Sequence, residues 1–104
     1  MRLSGFALWF VVVSHAGAAD LAPELWDRPR SAQAVMAQPA VRQAVAALQS
    51  RSDSRLLIVH GMRPDAQLQA EELRAWLVAL AVEGARLQLR ADVSAATIRL
   101  EIVD

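Results

Sequence analysis

Five consecutive residues, Leu56-Leu57-Ile58-Val59-His60, constrain the fold of this chain more than any other stretch. The run is apolar without alternation up to its histidine, and Gly61 and Pro64 follow it. Such a run is short for a buried helix and reads as a strand covered on both faces, the pattern of a central strand in an α/β sheet. Helical periodicity flanks it. Over residues 40–49, Val41, Ala44, Val45 and Leu48 recur at helical spacing, and Pro39 suits a first turn with Gln38 near the cap. Ahead of them Ser31 can cap a shorter turn carrying Ala32, Val35 and Met36. Residues 66–82 give the strongest helix signal, opened by Pro64 and Asp65, and Gly84 closes the connection that follows. Leu68, Leu73, Trp76, Leu77 and Leu80 form its expected buried stripe. Gln67, Gln69, Glu71 and Arg74 lie on the polar side, with Glu72 on the solvated face and Glu71 spaced to pair with Arg74.

Two alternating segments complete the pattern. Residues 86–90 (RLQLR) place Leu87 and Leu89 on one face, and residues 97–103 (TIRLEIV) place Ile98, Leu100 and Ile102 opposite Arg99 and Glu101. Half-buried strands alternate in this way. The order is α-β-α-β-β, which predicts an α/β (α+β) fold: a small mixed sheet of about three strands with two helices. The first crossover should be right-handed and join parallel strands. The last two strands are expected to run antiparallel, joined by the small-residue loop 91–96. Residues 19–30 read as an extended leader, because Pro23 and Pro29 disfavour helix in the residues before them. Leu21, Leu25 and Trp26 would pin that leader to the domain, which then occupies residues 31–104.

The N-terminus has the three parts of a secretory signal. Arg2 is the positive start, residues 6–13 (FALWFVVV) the apolar run, and residues 14–19 (SHAGAA) the small-residue region. The expected cut follows Ala18, or else Ala19. The apolar run is well short of the about 20 residues of a spanning helix, so contact with the membrane is expected only through this segment before its removal. Removing it from the 104 residues leaves about 85, near the lower limit for a self-sufficient core. The formal net charge is zero, and no basic cluster marks a nucleic-acid surface. The chain has no cysteine, which excludes disulfides, thiolate metal sites, cysteine nucleophiles and the lipid-attachment cysteine of a lipoprotein. A small domain without a covalent staple is helped by a partner or a second copy.

Three stretches, residues 48–61 (LQSRSDSRLLIVHG), 73–87 (LRAWLVALAVEGARL) and 96–104 (ATIRLEIVD), together resemble the OmpA-like domain, the peptidoglycan-binding module of the periplasm of Gram-negative bacteria. The resemblance implies a periplasmic α/β domain. In that family an Asp in a Gly-His-Thr-Asp loop and an Arg in the following helix hold the diaminopimelate group. Here Arg63 stands at the Asp position and Gln69-Ala70 at the Arg-Ala position. A zwitterionic ligand needs opposite charges at fixed places, so the fold and compartment carry over and the ligand pair does not. The family's first strand has no clear counterpart either, since residues 25–30 are polar and contain Pro29.

The chemistry-bearing cluster is His60-Gly61-Met62-Arg63-Pro64-Asp65, beyond the carboxyl end of the central strand, where α/β sheets place their sites. His60 reads as a strand-end residue bonded to a loop carbonyl, with a catalytic role as the alternative. Arg63 reads as a loop charge able to meet an anion, and Asp65 with Arg74 as a second charge pair. With one histidine in residues 20–104 and no cysteine, neither a metal nor another cofactor is expected. The expected function is a non-enzymatic protein-interaction domain of the bacterial envelope, its partner an envelope protein or a second copy. The alternatives are a divergent peptidoglycan binder using Arg63, Asp65 and Arg74, and a small hydrolase centred on His60.

Overall fold

The computed structural model describes residues 17–104; the expected signal segment, His15 included, lies outside the described residues up to Ala16. A mixed four-stranded sheet carries the helices on one face. β1 (Ala18–Asp20) is followed by a 3-10 turn at Pro23–Asp27, α1 (Ala32–Met36), α2 (Pro39–Ser50) and β2 (Arg55–His60). Then come α3 (Pro64–Ala79), a second 3-10 turn at Gly84–Arg86, β3 (Leu87–Ala91) and β4 (Arg99–Val103). The strand order is β1-β4-β2-β3. β2 pairs in parallel with β3, Leu56 opposite Leu87 and Ile58 opposite Leu89. It pairs antiparallel with β4, Leu56 opposite Ile102 and Ile58 opposite Leu100.

That register gathers one face of the sheet. Leu56, Ile58, Leu87, Leu100 and Ile102 meet Ala40, Val41, Ala44 and Leu48 of α2 and Ala70, Leu73 and Leu77 of α3 in a single core. The helix starts are local. Ser31 Oγ accepts from Ala34 N at 3.0 Å, and Pro39 and Pro64 stand in first turns where a missing N–H is harmless.

Several expectations are corrected. β2 has helices on one face only. On the reverse face Val59 is buried beside Arg90 and Arg99, outside the main core cluster. The guanidinium groups of Arg90 and Arg99 meet Glu101 at 3.2 and 2.7 Å. Long charged side chains cover apolar residues with their stems while their heads stay in water, so an unbroken apolar strand does not require a second helical layer. β3 and β4 are antiparallel in direction, but they flank β2 rather than pairing with each other. Leu68 is 65 % exposed: five residues from Leu73 it sits about 140° round the helix at 3.6 residues per turn, and Ala70 takes its place in the stripe. Glu71 accepts from Gln67 at 3.2 Å rather than from Arg74. The helix stops at Ala79, three residues short of its expected end at residue 82. Val82 N donates to Leu77 O and Ala81 N to Val78 O, both at 3.0 Å, with Ala81 at φ 76°. This is a Schellman closure with alanine at the left-handed position.

The largest correction is at the N-terminus. The expected leader is a fourth strand and a 3-10 turn. Leu21 and Leu25 enter the core at 1 % and 7 % exposure. Arg30 fastens the segment to α3: its guanidinium grips Glu72 at 2.9 and 3.0 Å and lies 5.3 Å from the centroid of the Trp26 ring. Trp76 Nε1 donates to the same carboxylate at 3.1 Å, so the half-buried indole N–H has a partner. Glu72 is therefore half-buried and paired, not on a solvated face.

Candidate functional site

The carboxyl end of β2 opens into a cleft of about 510 Å³. One wall is the turn into α3, with Gly61, Met62, Arg63, Asp65 and Gln69; the other is the β3–β4 connection, with Val93 and residues 95–98. Because β3 and β4 lie on opposite sides of β2, the chain between them must cross the end of β2, and this crossing makes the second wall.

The walls approach closely at Gly61. A Cβ there would lie 2.9 Å from the backbone oxygen of Ala95, so glycine is required by contact rather than by an unusual φ. The crossing is shaped by Asp92, whose Oδ1 accepts from Ser94 N at 2.9 Å and Ser94 Oγ at 2.7 Å. Asp92 N also donates to His60 O at 2.8 Å, tying the crossing to the end of β2. The Ser94 hydroxyl, then the Ser94 N–H, and then Arg99 hold the Asp92 carboxyl below its ordinary range. The tightened turn presents Val93 at 84 % exposure, and Met62 stands on the facing wall at 63 %.

The sequence candidates separate. Arg63 and Asp65 share the cleft and pair with each other, Nε to Oδ1 at 3.3 Å. Both are largely exposed. Asp65 Oδ1 also accepts from Ala66 N at 2.9 Å in the first turn of α3, where a negative charge is favoured. His60 is buried, and its Nδ1 lies 2.8 Å from Gly61 O. This is the loop-carbonyl contact expected of a strand-end histidine, and the ring is not among the residues lining the cleft. Arg74 is not part of the site. Nine residues beyond Asp65, about 13 Å along the helix at 1.5 Å per residue, it donates through Nη2 to Gly84 O at 2.9 Å. The expected Asp65–Arg74 pair does not form because Arg63 is nearer to Asp65 and the Gly84 carbonyl to Arg74.

Sequence reasoning missed the second wall. A lone valine between Asp92 and Ser94 looks like any loop residue until the topology carries it across the sheet. Among the described residues no group of three or more His, Asp or Glu side chains is placed to hold a metal ion, and no helix is long and apolar enough to cross a membrane. Chemically, the arrangement offers one cation, one anion and two exposed apolar side chains around an open depression. No protein-family model, curated protein or solved structure matches the chain.

Proposed function

We propose that this chain is a non-enzymatic interaction domain of the bacterial cell envelope, exported by its N-terminal segment and binding a periplasmic protein through the cleft at the end of β2. The observation that carries the reading is that Met62 and Val93 both line that cleft and are both largely exposed. Large apolar side chains held out to water on two walls of one depression, beside a charge pair, are the makings of a contact surface. The test places a photo-crosslinking residue at Met62, and separately at Val93, in the full chain expressed in its own cells. A discrete adduct of one size from both positions is expected, lost on Arg63→Asp. Adducts from neither position would end the reading.

The second reading is a divergent peptidoglycan-binding module. It is favoured by the meeting of Arg63 with Asp65 at the end of β2 and by the edge strand β1, a counterpart for the OmpA-like first strand that the sequence did not reveal. Its ligand would have to displace the Arg63–Asp65 contact, which at this exposure is worth about 1 kcal/mol at most. Co-sedimentation with purified peptidoglycan at low and high salt tests it: retention at high salt, lost in Arg63→Ala, supports the module. A hydrolase centred on His60 gains no support from a ring turned to its own loop carbonyl.

A further inference from the structure

The two edges of the sheet are unlike. β1 is three residues long. β3 has five, Leu87–Ala91, contains no proline, and among the described residues no strand lies on its outer side. Such an edge offers a row of backbone N–H and C=O groups to another strand, and proteins commonly guard it with charged side chains. The charges near β3 are turned inward. Arg86, just before the strand, donates to the carbonyls of Leu48, Arg51 and Ser54. Arg90 reaches across β2 to Glu101 of β4 at 3.2 Å. Along the edge itself remain the backbone, the exposed Gln88 and the half-buried Leu89.

The ladder with β2 fixes which backbone groups are free. Asp92 N donates to His60 O, so the backbone groups of Gln88 and Arg90, in step with Asp92, are directed at β2. Those of Leu87, Leu89 and Ala91 point outward. The Leu87 N–H is already taken by Gly84 O in the preceding turn. The free set is therefore the Leu87 carbonyl and both groups of Leu89 and Ala91, and it is complementary to itself. About a twofold axis at Leu89, a second copy sets Leu89 against Leu89, N–H to C=O in both directions. Ala91 then stands against Leu87, so that its N–H meets the free Leu87 carbonyl. Gln88 falls opposite Arg90, and Arg86 opposite Asp92. The two nearest registers that keep outward groups facing each other are worse. Centred on Gln88, the strand sets Arg86 against Arg90; centred on Arg90, it sets that arginine against itself. Like charges directly opposite are destabilising.

From this we infer that the chain forms a twofold dimer by antiparallel pairing of β3 with β3 of a second copy, in register at Leu89. The contact is the same patch on both copies and closes on itself. Residues directly opposite share a face of the sheet, so both sets of helices lie on one side and Leu89 meets its mate beside the core. None of the β3 residues lines the cleft, so the dimer stands or falls apart from the reading above. The test is sedimentation equilibrium of the protein recovered from cells expressing the full chain. A dimer is expected. Gln88→Arg, at an exposed position, should raise its dissociation constant severalfold by facing Arg90, and Gln88→Glu should lower it. The chain has no cysteine, so Leu89→Cys supplies a single thiol. Opposed residues of a hydrogen-bonded pair lie about 5.5 Å apart between Cα atoms, within disulfide reach. Mild oxidation of Leu89→Cys should therefore give a covalent dimer. Gln88→Cys, about 8 Å from its mate at 3.4 Å per residue, should not. A monomer at every concentration, a dimer indifferent to the charge at residue 88, or no cross-link from folded Leu89→Cys would each overturn the pairing.

Discussion

Arg86 does more for this fold than its place at the start of an alternating strand indicates. Its Nε donates to Ser54 O at 2.9 Å, and its Nη2 to Leu48 O at 2.9 Å and Arg51 O at 2.6 Å. These carbonyls belong to the last turn of α2 and the loop into β2, where a helix leaves acceptors without partners. Ser54 is fully buried and donates through Oγ to Arg51 O at 2.8 Å, so the guanidinium and the hydroxyl close the turn together. Arg86→Ala should lower stability by about 2–3 kcal/mol, read from urea unfolding, because a charged donor is lost and several acceptors are stranded. Arg86→Lys should recover only part, since one ammonium cannot span carbonyls reached by a planar fork. A second effect at this scale belongs to Glu72. The hydrogen bonds from Arg30, and then that from Trp76 with the charge of Arg30, hold its carboxyl below the ordinary range against a smaller desolvation effect. A depressed folded-state pKa gives stability that is present above the unfolded value and lost as pH falls through the folded one. The urea midpoint should therefore fall on acidification below the ordinary carboxylate range, and Glu72→Gln should flatten that part of the profile.

At the level of elements, the end of α3 stores the clearest strain in the described residues. Ala81 holds φ 76° so that the two Schellman bonds can form. The left-handed region costs an L-residue with a Cβ about 1–2 kcal/mol, and glycine avoids that cost while losing some ground through a looser unfolded chain. Ala81→Gly is expected to stabilise the domain by roughly 0.5–1 kcal/mol, and an unchanged or lower thermal midpoint would contradict this account. The periodicity of α3 was readable, as were the starts of all three helices, because proline and serine act through their immediate neighbours. The stop was not, because an alanine at the left-handed position carries no signal of its own. The stripe was misread at Leu68 for a related reason: a leucine off the buried face looks the same in sequence as one on it.

For the molecule as a whole, the N-terminal segment completes the core. Leu21 and Leu25 are buried, and Arg30, stacked over the Trp26 ring, binds α3 through Glu72. Fully burying a leucine is worth about 1.5–3 kcal/mol. A domain of this size has about 5–10 kcal/mol in all. A chain beginning at Ser31, the boundary that composition favours, should therefore lose its cooperative thermal transition; a sharp transition at an unchanged midpoint would show the segment to be dispensable. Assembly of the cleft also belongs to this scale. Gly61, Arg63 and Asp65 were legible as a cluster because they are adjacent in sequence. Val93 and residues 95–98 were not, because only the placing of β3 and β4 on opposite sides of β2 carries that connection over the strand end.

By itself the sequence determined the mixed α/β class, the helix starts, the buried faces of β3 and β4, and the parallel pairing that follows from a helical crossover. Each of these depends on neighbours a few residues apart or on one crossover's geometry. The tertiary structure alone decided that Ala18–Asp20 joins the sheet, that Val59 is buried on the reverse face between Arg90 and Arg99, and that Glu72 joins Arg30 and Trp76. It also decided that Arg74 turns away from Asp65 to the Gly84 carbonyl. The physical reason is range. A three-residue strand or a lone glutamate carries too little local preference to announce its state, and the partner that decides it, β4 for the strand and Arg30 for Glu72, lies tens of residues away and is met only when the sheet and helices are already in place.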